Sequence, residues 1–522
     1  KSDSPGCALG IIQDGQFLYK RGYGMANLEY NIPITSESVF RIGSTSKQFT
    51  AMCLVLLEEE GKLSLDDDIR KYLPEMPEYE SPVTIRHLLH HTSGIRDYLT
   101  LMSLAGERDD DFYVDGEVVD LLARQKELNF KPGEEHLYSN SGYFLLSVIV
   151  ERVTGRSMHA YAQKKIFVPL GMSQTYFHDD HTMVVKNRAS GYSPRRGGGF
   201  SISMTTLDMI GDGGIFTCVD DLLRWDQNFY HNQLGKGRQE LIDRMITPGA
   251  LNSGEKLDYA LGLTVSDYRG LKMISHGGAF VGFRAEMIRF PEQRFSVIVL
   301  ANLSAINPSK LARQVADIYL SSLLSETPTS ADEKTEFISL PESQLKEKEG
   351  IYYNSQEDRV WKISYREEAL SVDTFSFRFR LRPVSETLFH SENSPYDVAV
   401  EFEKPTEGKP ALMRVSREGA ETLIFEAILP EKADLSEIKE YEGQYFSPEL
   451  QVSYEIFLKN GKLFLRHENP YKEYPRLPFV QIFKDKFQVS SIGLNFFRNE
   501  RNEIASLTMN AGRVRNIRFF KK

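Results

Sequence analysis

Cysteine is scarce: Cys7, Cys53 and Cys218 are the only three in 522 residues. Odd in number and widely separated, they exclude a disulfide framework and any CxxC metal or redox site, and they read as small buried apolar residues. No apolar stretch approaches the roughly 20 residues that a helix needs to cross a bilayer. The longest runs are of the kind YFLLSVIV at 143–150, so no membrane span is expected. Positive charge is also in deficit, with 63 Lys and Arg against 73 Asp and Glu and a formal net charge of −10. Either nucleic acid or an anionic membrane surface would favour a basic face. A small neutral or cationic substrate is easier to accommodate, and the partner expected is a small-molecule or peptide substrate. The chain opens KSDSPGCALG, with neither an initiator Met nor a charged and then apolar leader, which is the pattern of a processed chain.

What is present is ordinary globular composition, 41% hydrophobic and 26% charged, in a length that predicts two to four domains. Residues 7–25 read as two strands joined at Asp14-Gly15. Helical patterns follow at 44–61, 84–91, 143–154, 157–167 and 219–231, the last with Thr217 as its cap. Strands return in KMISHG, FRAEMIRF and FSVIVLAN between 272 and 302, and a helix at 309–324 closes the unit. Strands at both ends with helices between them predict an α+β domain whose antiparallel sheet is formed by its two termini. The polar SETPTSADEKTE at 325–336 reads as a linker. Short alternating strands dominate after it. LKEKEGIYYNS at 345–355 aligns with IKEYEGQYFSP at 438–448, which predicts two similar all-β barrel-like units. The expected domains are 1–326, 337–432 and 433–522.

Chemistry is first suggested by GSTSKQFTAMCLVLLEEEG at 43–61. One helical turn brings the Ser44 hydroxyl and the Lys47 amine together at the start of an apolar helix, as an acylatable serine requires. A free lysine, with its pKa near 10.4, cannot take that proton at neutral pH, so Lys47 must be depressed by a dry wall such as Met52–Leu57. SxxK occurs four times, at Ser44, Ser253, Ser343 and Ser436. Only the first copy follows a strand and opens a long apolar helix, and those at Ser343 and Ser436 are equivalent positions of the repeat. The bland alternative is a surface serine cap with a solvated lysine.

Two further segments complete a series. Tyr138-Ser139-Asn140 stands on a polar stretch just before an apolar helix. There a tyrosine can share the proton with Lys47 and an amide can bind a substrate carbonyl. His276-Gly277-Gly278 lies on a strand, where paired glycines mark a close approach of backbone to a ligand or another chain. If that strand borders the site, the N–H groups of Ala279 and Ser44 together hold an oxyanion.

In this order and spacing the segments resemble the serine β-lactamase and penicillin-binding-protein superfamily, in its class C-like branch of DD-peptidases, esterases and D-aminopeptidases. The SxxK, YxN and HxG motifs match, as do TIRHLLHHTSGI at 84–95 and GDGGIFTCVDDLLRW at 211–225. The resemblance covers residues 7 to about 324, and STSKQFT, SGIRDY and HGGA are most similar to three-domain D-aminopeptidases. It implies a β-lactamase-like catalytic domain followed by two barrels, with Ser44 as nucleophile and Lys47 and Tyr138 as the proton-handling pair. It further implies Asn140, His276 and Gly278 as substrate contacts, with no metal and no cofactor.

His276 stands where β-lactamases carry lysine, which weighs toward peptidase and esterase members. It is expected to gain charge as the pH falls toward 6 and so to favour carboxylate-bearing substrates. The leading expectation is a D-aminopeptidase or DD-peptidase-like serine hydrolase, periplasmic or secreted rather than cytoplasmic. An esterase or β-lactamase using the same site is the first alternative, and a non-hydrolytic binding or scaffold protein on the same fold is the second. By the same resemblance, HENPYKEYPR at 467–476 corresponds to a loop that gates the site. His87, His90 and His91, and the pair His178 and His181, are read as structural or solvated. PRRGGGF at 194–200 is read as an exposed loop.

Overall fold

The protein is described from a computed structural model. It covers residues 3–107, 111–195, 197–325, 337–356, 358–373, 378–392, 398–403, 410–417, 422–429, 434–468, 478–489 and 492–522. The chain packs as two compact units, one of Lys1–Leu99 with Glu107–Glu326 and the other of Thr100–Gly106 with Thr327–Lys522. The expected linker lies, from 326 to 336, outside the described residues.

The first unit is built on a six-stranded antiparallel sheet. Its strands are β1 (Cys7–Gln13), β2 (Gln16–Tyr23), β3 (Thr264–Tyr268), β4 (Leu271–Phe280), β5 (Phe283–Phe290) and β6 (Phe295–Ala301). They are ordered β3-β4-β5-β6-β1-β2, so the first and last strands of the unit are neighbours, as the sequence predicts. The turn between β1 and β2 has φ of 49° at Asp14 and 83° at Gly15, the doubly left-handed pair that matches the twist of a two-residue hairpin. Helix α5 (Pro308–Tyr319) covers one face of the sheet, burying Ala312 and Ala316 against Ile288, Phe290, Val297 and Val299.

Four other helices bear on the site, namely α1 (Lys47–Glu59), α2 (Ile85–Leu89), α3 (Asn140–Thr154) and α4 (Val219–Asn228). Every residue of α1 from Lys47 to Leu57 is buried, so it is a core helix and not an amphipathic surface one. The Trp225 indole N–H donates to Gln48 Oε1 at 2.6 Å, which joins α4 to α1. Arg289 and Asp226 pair at 2.8 Å with both side chains almost wholly buried, and Ser296 also donates to that carboxylate. This ties α4 to the sheet. Cys218, not Thr217, is the cap residue of α4. Thr217 ends the short strand Ile215–Thr217, and its hydroxyl bonds Thr175 at 2.6 Å. The glycines of 194–200 turn between the short strands Tyr192–Pro194 and Phe200–Ile202, with residue 196 outside the description.

In the second unit, eight strands close into an antiparallel barrel. They are β7 (Gly350–Asn354), β8 (Arg359–Arg366), β9 (Ala369–Asp373), β10 (Arg378–Pro383), β11 (Leu388–Glu392), β12 (Val398–Glu403), β13 (Leu412–Arg417) and β14 (Leu423–Ile428). Its interior holds Leu370, Val372, Leu381, Phe389, Val400, Met413 and Phe425.

A second eight-stranded sheet follows, made of β15 (Gly443–Ser447), β16 (Val452–Lys459), β17 (Lys462–His467), β18 (Val480–Phe483), β19 (Lys486–Val489), β20 (Ile492–Arg498), β21 (Ile504–Ala511) and β22 (Val514–Lys521). It curls without closing. Among the described residues, the edge of β17 meets the segment just before β18 through a bridge between Phe464 and Pro478 and a 2.8 Å hydrogen bond from the Phe479 amide to the Leu463 carbonyl.

The repeat seen in the sequence has a physical basis. Each sheet is introduced by a short helix, α6 (Glu342–Lys346) or α7 (Leu435–Lys439). Tyr352 donates to the Lys348 carbonyl at 3.1 Å and Tyr445 to the Tyr441 carbonyl at 2.9 Å. The Glu349 carboxylate accepts from the amide of Tyr365 at 2.6 Å, and the Glu442 carboxylate accepts from that of Leu458 at 2.7 Å. The shared EGxY thus encodes one way of starting a sheet. The serines and lysines of the two stray SxxK copies lie on α6 and α7.

Candidate active site

Ser44 sits in a 3₁₀ turn, Gly43–Ser46, that runs directly into α1. It is partly exposed, whereas Lys47 is fully buried. A buried amine needs hydrogen-bond partners, and several converge on Lys47 Nζ. Among them are Ser44 Oγ at 3.2 Å, Asn140 Oδ1 at 2.9 Å and the Asp212 carbonyl at 2.6 Å. The faces of Tyr138 and Tyr143 complete the enclosure, with ring centroids 4.8 and 5.5 Å from the nitrogen.

The polar residues of TSKQFT, odd in a core helix, are accounted for by what they hold. Ser46 Oγ accepts from the Ile215 amide at 3.1 Å, and the Thr50 hydroxyl donates to the Gly211 carbonyl at 2.7 Å. The Ile42 amide donates to the Ile215 carbonyl at 3.0 Å. These bonds strap the GDGG segment along the start of α1, and the strap delivers the Asp212 carbonyl to Lys47. The Asp212 carboxyl is itself buried and accepts from the Tyr98 hydroxyl at 3.2 Å. Burial raises its pKa, and the nearby Lys47 and Arg41 charges pull it back.

HHTSGIRDY is the cradle of the YSN segment. The Asp97 carboxylate accepts from the Asn140 amide at 2.8 Å, and the Ser141 hydroxyl donates to the Arg96 carbonyl at 2.6 Å. The Ser139 amide donates to His91 Nδ1 at 3.2 Å. The His91 ring lies 4.1 Å from Tyr138 and 4.7 Å from Tyr259, centroid to centroid. Asn140 heads α3, so its side chain is fixed at the first residue of a buried helix.

On the opposite side, β4 passes close to the turn of Ser44. A Cβ on Gly278 would lie 1.8 Å from the Ile42 carbonyl oxygen, and one on Gly43, whose φ is +52°, would lie 2.9 Å from the Ala279 nitrogen. Only glycine permits that approach. The Thr45 hydroxyl donates to the His276 carbonyl at 3.1 Å and fixes the strand alongside the turn.

Ser44, Lys47, Tyr138 and Asn140 are therefore brought together on one side, with Gly278 and Ala279 across from Ser44. His276 behaves differently from the expectation. Its imidazole is buried and engaged internally, with Nε2 3.0 Å from the Tyr259 hydroxyl and Nδ1 2.6 Å from the Gly277 carbonyl. Burial, reinforced by the Lys47 charge, pushes its pKa down to about 4. Burial thus opposes the charge that the sequence leads one to expect His276 to gain as the pH falls toward 6.

Tyr259 and Asp212 were not singled out by sequence. Tyr259 stands in DYALGL without a motif, and Asp212 carries its signal only as part of the glycine-rich segment. His91 was set aside as structural yet contacts Tyr138. His87 does close a capping box with Thr84 on α2. His181 bonds Asp208 at 2.8 Å, and His178 is buried against Phe216. Among the described residues no three of His, Cys, Asp and Glu are grouped to hold a metal ion. Of the 467–476 segment, residues 469–476 lie outside the description. No described helix is long and apolar enough to cross a membrane.

The Beta-lactamase family model matches residues 1–319. D-aminopeptidase of Gluconobacter oxydans is 31% identical over 298 residues, covering 57% of this chain and 56% of that protein. Penicillin-binding protein 4* of Bacillus subtilis is 33% identical over 312 residues, 56% of this chain and 66% of its own length. The chain thus spans between about half and two thirds of the curated relatives it matches. The structure of the octameric penicillin-binding protein homologue from Pyrococcus abyssi aligns with 81% of this chain and 96% of its own, with a TM-score of 0.57 and 27% identity.

Proposed function

We propose, from the premise that this chain belongs to the Beta-lactamase family, that it is a serine hydrolase forming an acyl enzyme on Ser44. The substrates are small peptides, amides or esters, with D-aminoacyl peptides and amides leading. The observation that carries the reading is the buried Lys47 amine 3.2 Å from a partly exposed Ser44 hydroxyl, with Asn140 and the Asp212 carbonyl fixing the amine in place.

In the proposed cycle the Lys47–Tyr138 pair starts one proton short of full protonation, and Ser44 Oγ attacks the substrate carbonyl carbon as its proton passes to the deprotonated member of that pair. The oxygen of the tetrahedral intermediate, now negative, lies between the N–H groups of Ser44 and Ala279. Asn140 spends its Oδ1 on Lys47, which leaves its amide N–H₂ to donate to the substrate. When the intermediate collapses, the C–N or C–O bond breaks and the leaving group takes the proton back. Water then attacks the Ser44 ester, gives up a proton by the same route and releases the acid. Nothing in this cycle requires a cofactor. The D-aminoacyl preference is drawn from the relatives named D-aminopeptidase. Esterase and β-lactamase activities use the same steps.

The test is labelling by a serine-reactive fluorophosphonate with peptide mapping, beside a panel of D- and L-aminoacyl p-nitroanilides, a p-nitrophenyl ester and a chromogenic cephalosporin. The expected adduct is on Ser44, lost in Ser44→Ala together with hydrolysis of the D-aminoacyl substrates. Labelling that persists in Ser44→Ala, or a panel in which nothing turns over, overturns the reading.

A further inference from the structure

We propose that Tyr259 is a positioning residue that sets substrate preference by holding His276 in one neutral tautomer, so that β4 offers no cation beside Ser44. The proposal deepens the serine-hydrolase reading and, for its effect on substrates, rests on it.

The argument begins with the two ring nitrogens. Nδ1 of His276 is 2.6 Å from the carbonyl oxygen of Gly277. A carbonyl only accepts, so Nδ1 carries the proton. Nε2 is then the bare nitrogen of a neutral ring, and the Tyr259 hydroxyl 3.0 Å away donates to it. Tyr259 is suited to that role, and to accept from an Nε2–H instead its O–H would have to turn away. Its side chain is buried, and burial holds its phenol well above the ordinary range, so it keeps its proton. Tyr259 is fixed in turn by its own backbone, whose carbonyl lies 3.2 Å from Nδ1 of His90. Its ring packs on His91 and His136 at 4.7 and 5.8 Å.

Burial and the Lys47 charge, the two larger influences on the His276 ring, favour the neutral form. Lys47 is a like charge that opposes a second cation, and the Tyr138 ring stands 6.3 Å off. The Gly277 carbonyl is the one contact that favours the cation, and a single neutral acceptor does not outweigh loss of hydration. A donor held against Nε2 opposes protonation there directly, because the nitrogen cannot both accept from Tyr259 and take up a proton. The consequence is one of substrate class. A free carboxylate next to the scissile bond meets no positive partner on β4, whereas amides, esters and longer peptides with a neutral group there lose nothing. Preference for them is set by a tyrosine that never touches the substrate.

The test uses the whole chain labelled with ¹⁵N-histidine, and two-bond ¹H–¹⁵N correlation reads each imidazole's tautomer. The His276 signals are identified by their loss in His276→Gln. In the parent protein they should show a protonated Nδ1 and a bare Nε2, unchanged from pH 8 to pH 5.5. In Tyr259→Phe they should shift toward exchange between tautomers or titrate at higher pH. The rate ratio of carboxylate-bearing to neutral ester substrates should be flat with pH in the parent. It should rise roughly fivefold toward pH 6 in the variant, the scale of one partly exposed charge contact. An Nε2–H or doubly protonated ring in the parent at pH 7 overturns the proposal. So does a Tyr259→Phe variant whose His276 signals and rate ratio match the parent. If Tyr259→Phe does not fold, the parent spectrum decides. The tautomer is read without turnover, so a failure of the serine-hydrolase reading leaves a separate mark in the labelling of Ser44.

Discussion

Gly278→Ala is the sharpest test of how β4 meets the nucleophile turn. The added methyl would lie 1.8 Å from the Ile42 carbonyl oxygen and 2.9 Å from Thr45 Oγ1. Carbon and oxygen settle at separations above about 3 Å, so the two backbones must part by roughly 1.2 Å or more. The obstacle is a main-chain carbonyl two residues before Ser44 and cannot swing aside as a side chain would. An oxyanion donor works within about 2.7–3.1 Å of the developing charge. A displacement of that size removes the Ala279 amide from the proposed hole, and losing one donor costs about 10²–10³ in kcat, or roughly 3–4 kcal/mol. Overpacking of this kind lowers stability by about 1–3 kcal/mol, so the variant should fold. The assay is kcat and KM on an activated ester, with fluorophosphonate labelling of Ser44 and a thermal melt beside it. Gly116→Ala is the control, because its Cβ meets nothing within 4 Å and lies on the helix Asp115–Ala123. It should leave both activity and melting near those of the parent. A Gly278→Ala protein with parental kcat refutes the placement of β4 against Ser44.

Glu286 is buried opposite Gly277 and accepts a hydrogen bond from Ser309. Burial pushes its carboxyl up to about 7, with the Ser309 bond opposing. A carboxyl whose folded pKa lies above the unfolded value of about 4.3 costs stability progressively as the pH rises through that interval. Glu286→Gln should therefore gain on the parent by up to about 3 kcal/mol at pH 8 in urea unfolding, with the gain vanishing near pH 4. Arg289→Met strips the partner from Asp226 inside the core and should lower unfolding free energy by about 3–5 kcal/mol. The double variant Arg289→Met/Asp226→Leu should recover most of that loss. Equal stability of the single and double variants would show that the pair contributes nothing as a pair.

The parts of the site that were legible from sequence are those where local pattern and chemistry coincide. Ser44 and Lys47 are one turn apart, followed by an apolar run that only a buried helix explains. The Asp14-Gly15 hairpin and the EGxY repeat are likewise local, with bonds that reach 16 residues at most. What was not legible carries no side-chain signature. Tyr259 reaches His276 through the β3–β4 hairpin, and nothing in DYALGL announces a donor for an imidazole. Asp212 serves Lys47 through a main-chain carbonyl, which any residue carries, so side-chain chemistry gave no hint of it. The charge expected of His276 meets a burial that opposes it, because a pattern gives a residue's identity but not its solvation. The same imidazole on an exposed strand would titrate near pH 6.5.

The order β3-β4-β5-β6-β1-β2 also dictates when the first unit can exist. β1 pairs with β6 from Cys7 opposite Ala301 to Gln13 opposite Phe295, so the β6–β1 seam of the sheet waits for a segment made almost 300 residues later. At the usual pace of synthesis the β1–β2 hairpin would stand unpaired on one side for about 15–60 s, displaying Ile12 and Ala8, which end fully buried. Contacts of such sequence separation are slow to close. No truncation short of Ala301 should therefore yield a folded first unit, which a thermal melt of the truncated chain checks.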